Sequence, residues 1–140
     1  MTAVLLDTCA VIWMAQGEPM SAAARAAIRD ALAGDGAFVS ALTAWEVGLL
    51  SRARGKRPAT VFLPDTKTWL DRVFAAPGIR PVPVTREIAH QGSALQGAFH
   101  NDPVDRIIVA TALTLGVPVV TRDRAILAYA EAGFVQAVAC

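Results

Sequence analysis

Four carboxylates stand where a carboxylate is costly or unexpected. Asp7 directly follows the apolar run Ala3-Val4-Leu5-Leu6. A strand there would put it at the carboxyl end of a parallel sheet, outside which ligands bind. Glu46 lies within residues 42 to 53. At 3.6 residues per turn it falls in the middle of the helix face made by Leu42, Trp45, Leu49, Leu50 and Ala53. An ionised carboxylate buried there alone is strongly unfavourable, so the position needs a cation, either an arginine partner or a metal. Asp105 follows Asp102 by three residues at the start of a helix whose sides are nearly all apolar, including Val104, Ile107, Ile108, Val109 and Ala112. Asp123 closes the run from Val117 to Arg122, again at the carboxyl end of a strand. Each has a plain alternative. Asp7 and Asp123 suit the caps of the helices that follow them, and Asp102 before Pro103 is a natural N-cap. Asp105 at the third helical position is favoured by the helix dipole.

Taken together, two carboxylates at strand ends, one at a helix start and one on an inward helix face can converge on one pocket. Carboxylates within ~4–6 Å repel and raise each other's pKa unless a cation neutralises them. With no Cys or His cluster beside them, the ligand set is all oxygen, which suits Mg²⁺ or Mn²⁺ and disfavours zinc. Such an ion activates water and stabilises charge on a phosphoryl group. His90 and His100 are the only imidazoles. His100 lies close enough to Asp102 to reach a substrate, although a lone loop histidine is ordinarily structural or solvated. The other acids are bland: Asp30, Asp71, Glu87 and Glu131 lie on exposed helix faces or near helix ends, Asp35 in a turn, and Asp65 at a cap.

The elements that must position these groups fit in 140 residues, one domain spanning 1–140. Hydrophobic residues make up 54% and charged residues 18%, which excludes disorder. No apolar run approaches the ~20 residues that cross a bilayer, and no signal-peptide pattern opens the chain. Thirteen basic against 12 acidic side chains give a net charge of +1, so polyanion binding would need a local patch. Cys9 and Cys140 form no CxxC or Cys/His cluster and suit a reducing compartment, the cytoplasm. Short β-like runs alternate with helical patterns: strands at 3–6, 37–40, 79–84, 117–121 and 134–138, and helices at 9–16, 22–32, 42–54, 69–75, 85–95, 103–115 and 124–132. That alternation predicts an α/β domain with a mainly parallel sheet of about five strands. Pro81 and Pro83 put the third strand at an edge.

Four segments in order carry a resemblance: Val4-Leu5-Leu6-Asp7-Thr8, Ser40-Ala41-Leu42-Thr43-Ala44-Trp45-Glu46-Val47, Asp102-Pro103-Val104-Asp105-Arg106-Ile107-Ile108-Val109-Ala110-Thr111-Ala112, and Val119-Val120-Thr121-Arg122-Asp123. Together they resemble the PIN domain, and most closely the VapC-type toxins of bacterial toxin–antitoxin pairs. The resemblance implies a three-layer α/β/α fold and a metal-dependent endoribonuclease. It also implies a homodimer and a cognate antitoxin whose C-terminal segment blocks the pocket. The acidic quartet would be Asp7, Glu46, Asp105 and Asp123, holding Mg²⁺ or Mn²⁺, with Asp102 auxiliary and with Thr8 and Thr121 supporting it by hydroxyl hydrogen bonds.

The only basic cluster is Arg52, Arg54, Lys56 and Arg57. It would grip RNA through phosphates, unless it is a solvated helix end complementing the dipole. Trp13, Trp45 and Trp69 could stack on splayed bases. The spacing of Trp45 and Trp69 within apolar stretches reads as core, whereas Trp13 reads as a dimer or antitoxin interface. A haloacid-dehalogenase-type phosphohydrolase needs an Asp where Cys9 stands and a lysine that Lys56 and Lys67 do not supply. A same-fold nuclease acting on DNA or in RNA maturation remains open. So does a non-catalytic RNA-binding module, although clustered negative charge facing phosphates gives a pure binder nothing.

Overall fold

The computed structural model describes residues 2–140. Strand β1 (Ala3–Leu6) is apolar and buried at all four positions, as a central parallel strand covered on both faces must be. It is the middle of a five-stranded sheet with β2 (Gly36–Ser40), β3 (Ile79–Val82), β4 (Val119–Thr121) and β5 (Ala137–Ala139), in the order β3-β2-β1-β4-β5. Every pairing is parallel. Alternation along β1 feeds two cores. Val4 and Leu6 face α1 (Thr8–Gln16), α2 (Ala22–Ala33), α4 (Thr66–Ala75) and Val47 of α3 (Ala41–Leu50). Ala3 and Leu5 face α6 (Pro103–Leu115) and α7 (Arg124–Glu131), with α5 (Arg86–Ser93) lying on α6. The result is the three-layer α/β/α arrangement expected from the sequence.

The punctuation is local chemistry. Ser21, Asp65 and Thr85 cap α2, α4 and α5 by accepting from the backbone N–H three residues on. Gly17 and Gly116 end α1 and α6 in the left-handed conformation that glycine adopts without strain. β3 is an edge strand, and Pro81, which has no N–H to give, pairs in register with Val39.

Three expectations change. The helix through Glu46 ends at Leu50, not at residue 54. The Arg57 guanidinium donates to the carbonyls of Leu49, Leu50 and Arg52, and the Thr60 N–H also reaches Leu50 O, so the last turn is capped and the chain leaves. The last strand is Ala137–Ala139 rather than 134–138, because Phe134 stacks on Tyr129 with centroids 4.9 Å apart and its N–H closes α7 onto Tyr129 O. Trp45, expected in the core, is 56% exposed, whereas Trp69 is buried as expected. Helix α3 buries Thr43 and Val47 instead. Nearly all of its residues are apolar or small, so it has no polar side to say which stripe faces inward.

Candidate active site

The strand order reverses direction at β1: the chain runs β1 to β2 to β3 on one side, then returns to lay down β4 and β5 on the other. This switch point opens a crevice at the carboxyl ends of β1 and β4. Register puts the next residues side by side, because Leu6 pairs with Val120 and the Asp7 N–H bonds to Val120 O at 3.0 Å. Thr121 then donates its hydroxyl to Asp7 Oδ2 at 2.7 Å, while Asp7 Oδ1 accepts from the Thr8 N–H at 2.8 Å. The Thr121 hydroxyl also accepts from the Asp123 N–H at 2.9 Å, so one side chain aligns two carboxylate-bearing residues. Asp123 caps α7 through Oδ1, which bonds to the Ile126 N–H.

Two helices complete the ring. Glu46 reaches in from α3 and accepts a hydrogen bond from the Thr8 hydroxyl, which is itself 3.1 Å from the hydroxyl of buried Thr43. The expectation that Glu46 faces inward holds, but the neighbours on that side are Thr43 and Val47 rather than Trp45 and Leu49. Asp105 enters from the first turn of α6. Exposed Asp102 caps that helix by accepting from the Val104 and Asp105 N–H groups.

Electrostatics bind these groups into one unit. Burial raises the Asp7 carboxyl above its ordinary range, against the lowering effect of its Thr121 and Thr8 hydrogen bonds, and the Asp123 charge adds to the rise. Glu46 is raised by burial, against its Thr8 bond, with Asp7 and Asp102 adding repulsion. Asp105 is pushed up to about 7, first by burial and then by the charges of Asp123, Asp102, Asp7 and Glu46. Among the described residues no lysine or arginine forms an ion pair with any of the four. The arginine–glutamate pair that could have explained Glu46 is therefore absent there. Crowded oxygens short of positive charge are the donor set a hard divalent cation fits.

Sequence reasoning gave two side chains here no definite work. His100 Nε2 lies 3.2 Å from Asp105 Oδ2, and His100, Asp105 and Asp123 each offer an atom within 4.8 Å of the others. His100 Nδ1 accepts from the Asp102 N–H at 3.1 Å, so the imidazole bridges the Asp102 backbone and the Asp105 carboxylate. The sequence reading of an all-oxygen ligand set thus gains a nitrogen neighbour at the site. Arg106, part of the Asp-Pro-x-Asp-Arg motif, donates to the carbonyls of Gly92, Phe99 and His100 and clamps the loop that carries the histidine. Thr43 was also missed. Its signal was a hydroxyl three residues before Glu46, on the same face of one helix.

The basic cluster divides. Arg52, Arg54 and Arg57 all line one cleft of about 710 Å³ with Glu46, Asp102 and Trp45, but the half-buried Arg57 guanidinium is engaged with backbone carbonyls, whereas Arg52 and Arg54 are exposed. Lys56 is exposed at the tip of the turn closed by the Arg54–Arg57 backbone bonds. Half-buried Trp13 lies under the Arg122 guanidinium, 3.2 Å from its ring centroid.

Residues 4–132 match the PIN domain family. A curated relative, ribonuclease VapC22 of Mycobacterium tuberculosis, is 36% identical over 125 residues, covering 89% of each chain. Among solved structures, VapBC2 of Rickettsia felis bound to a fragment of promoter DNA superposes with a TM-score of 0.67 at 11% identity, covering 98% of each chain. VapC20 of M. tuberculosis, described as a sarcin–ricin loop cleaving toxin, gives a TM-score of 0.56 at 21% identity, covering 95% of this chain and 97% of that one. At those identities the structural matches speak to the fold.

Proposed function

The chain belongs to the PIN-domain family, in its VapC-type branch, and from that premise we propose that it is a Mg²⁺- or Mn²⁺-dependent endoribonuclease, the toxin of a type II toxin–antitoxin pair. The observation that carries this reading is the convergence of Asp7, Glu46, Asp105 and Asp123 at the sheet's switch point, with no lysine or arginine among the described residues paired to any of them. Asp7, Asp105 and Asp123 would hold one or two ions, with Glu46 binding directly or through water. A divalent ion bound there lowers the pKa of water and screens the charge that develops on the phosphoryl and leaving 3′ oxygens.

The chain's own groups do the rest. Thr121 fixes the Asp7 carboxylate and its spacing from Asp123. The Thr8 hydroxyl, itself bonded to the Thr43 hydroxyl, holds Glu46, and His100 holds Asp105. Asp102 sets the first turn of α6 and so the direction of Asp105. Arg52, Arg54 and Lys56 would contact phosphates of the strand, which positions RNA without reading its sequence. Hydrolysis with water as nucleophile leaves a 5′-phosphate and a 3′-hydroxyl. Partner and setting follow the family: a cognate antitoxin closing the acidic crevice, a homodimer, and the cytoplasm. No helix among the described residues is long and apolar enough to cross a membrane.

The test is cleavage of end-labelled bacterial RNA by the antitoxin-free chain with Mg²⁺, with Mn²⁺ and with chelator, beside folded Asp105→Asn. Discrete metal-dependent cuts bearing 5′-phosphates, reduced at least a thousandfold in the variant, are expected. No cutting, or equal cutting by the variant, would defeat the catalytic reading.

A further inference from the structure

His100 sits on a loop that has every reason to be loose. Residues 96–101 form no helix or strand, and all of them but Phe99 are exposed. Side chains of α6, of α7 and of the turn after it nevertheless grip this stretch along its length. The Tyr129 hydroxyl donates to Gln96 O. The Phe134 ring lies against Gly97, whose φ of +71° favours glycine and where a Cβ would come within 2.7 Å of that ring. Arg106 donates to the carbonyls of Phe99 and His100. The rings themselves form a column. Phe134 stacks on Tyr129 and Tyr129 meets Phe99 edge-on, each at 4.9 Å between centroids, and the His100 imidazole stacks on Phe99 at 4.5 Å with an interplanar angle of 25°. The column ends where His100 Nε2 lies 3.2 Å from Asp105 Oδ2. Its base, Tyr129, belongs to the helix that Asp123 caps. Helix α7 therefore bears on both carboxylates: on Asp123 directly, and on Asp105 through Tyr129, Phe99 and His100.

We propose that Phe99 and Tyr129, backed by Phe134, are positioning residues that aim His100 and thereby fix Asp105 against Asp123 before a divalent ion binds. The assignment rests on the metal-dependent nuclease reading and adds to it the residues that preset the site. Two carboxylates without a cation repel, and a half-buried Asp105 can relieve the repulsion by turning toward solvent. An imidazole held in place beside Asp105 Oδ2 opposes that turn, so less ordering is left for the ion to drive. Ordinary packing explains part of the column, since Tyr129 is buried in the core beneath α6 and α7 and Phe99 lies against it. It does not explain an exposed imidazole stacked flat on Phe99, nor the separate holds on Gln96 and Gly97, two exposed residues with nothing to bury. Those features share one outcome, a fixed direction for His100.

Metal binding is read apart from cleavage, by calorimetric titration of Mn²⁺ into the RNA-free chain. His100→Gln and Phe99→Leu are each expected to weaken Mn²⁺ affinity about tenfold or more, as when a supporting partner of a ligand is lost. Phe99→Tyr keeps a flat ring under the imidazole and should retain the parental affinity. Tyr129→Phe keeps the column and loses only the hold on Gln96, so a loss of about threefold is expected. The double variant His100→Gln/Phe99→Leu should bind no more weakly than His100→Gln alone, because the ring that Phe99 aims is already gone. Ile28→Ala, a truncation in the opposite core, should lower the melting temperature and leave Mn²⁺ affinity unchanged. In the metal-free chain, proton NMR resolves the two imidazoles. The Phe99 ring current should shift the His100 signals upfield of those of exposed His90, and Phe99→Leu should abolish the difference. Thermal unfolding confirms that each variant is folded.

Parental Mn²⁺ affinity in folded Phe99→Leu overturns the proposal, and so do losses that multiply in the double variant. Either result makes Phe99 and Tyr129 plain core residues. A loss in Ile28→Ala as large as that in Phe99→Leu also overturns it, because the effect would then follow stability rather than aim. The premise fails separately. If the parent binds Mn²⁺ and the losses do not multiply, but no RNA is cut, the nuclease reading falls and the positioning column stands. If metal-dependent cuts appear while the losses multiply, the column falls and the nuclease stands.

Discussion

The two walls of the acidic crevice are built by different means. On the sheet wall, Asp7 and Asp123 are placed by the register of β1 against β4, two buried parallel strands, and are tied together through one buried hydroxyl. On the helix wall, Glu46 hangs from α3, which buries only Thr43 and Val47 and leaves Trp45 and Leu49 in solvent. The sheet wall is rigid because moving either carboxylate would break central pairing or leave a buried polar group without a partner. The helix wall is held by fewer contacts and opens onto the cleft where substrate would lie. A site of this kind divides its labour: fixed charge on the sheet, and an adaptable, accessible surface on the helix.

Removing the tie tests the rigid wall most severely. Thr121→Val keeps the volume and deletes the hydroxyl, so Asp7 Oδ2 loses its donor and the Asp123 N–H its acceptor. RNA cleavage is expected to fall about 10- to 100-fold, as when a supporting partner of a ligand is lost, with a stability loss of about 1–3 kcal/mol. Thr8→Val cuts the corresponding bond on the other wall, to half-buried Glu46, and should cost less on both counts. Chemical denaturation and initial cleavage rates measured on the pair settle the order. Equal or reversed losses would erase the distinction between the walls.

The crowding of the carboxylates predicts a pH dependence. The Asp105 carboxyl lies at about 7 in the folded chain against an ordinary 3.8. Between those values the folded state keeps a proton that the unfolded chain has released, so stability falls as pH rises through that window. Asp7 and Glu46, also raised, push the same way. Metal-free protein should therefore melt lower at pH 8 than at pH 5, by on the order of 5 °C. Asp105→Asn should flatten much of the slope, and Mg²⁺ or Mn²⁺ should restore more stability at pH 8 than at pH 5. A melting temperature that rises with pH in the metal-free protein would contradict this account of the site.

The same contrast governs what could be read from the chain alone. Buried strands announce themselves. The run Ala3-Val4-Leu5-Leu6 read as a fully apolar strand, which put Asp7 at the carboxyl end of the sheet, and the structure makes that strand the central one. Pro81 and Pro83 marked the outer strand because a residue without an N–H cannot sit in the middle of a ladder. Helix α3 gave no such instruction. Apolar on almost every side, it offered two equivalent stripes, and only packing against β2 and α1 decided that Thr43 and Val47 face inward. His100 and Arg106 were opaque for another reason: what fixes them is backbone atoms, the Asp102 N–H that orients the imidazole toward Asp105 and the Gly92 and Phe99 carbonyls that hold the guanidinium, and backbone hydrogen bonds leave no mark in the sequence. The end of α3 was hidden in the same way, since it is set by the guanidinium of a residue seven positions further on.

That last feature yields the smallest and most discriminating prediction, because it splits a cluster the sequence presents as uniform. Arg57 donates to the carbonyls of Leu49, Leu50, Arg52 and Pro58, closing the end of α3 and shaping the turn that carries Lys56. Arg52 and Arg54, which line the same cleft as Arg57, are exposed and make no comparable bonds. Arg57→Ala should therefore lower stability by about 1–2 kcal/mol while leaving the salt dependence of RNA binding nearly unchanged. Arg52→Ala should do the reverse: no change in melting temperature, a loss of RNA affinity of about two- to fivefold, and a slope of log affinity against log salt reduced by about one. If Arg57→Ala instead flattened the salt slope without moving the melting temperature, its guanidinium would be gripping phosphate, and the end of α3 would need another cap. The expected split would make the helix wall itself two-part: a clamp that fixes where the helix stops, and free cations beyond it that meet the substrate.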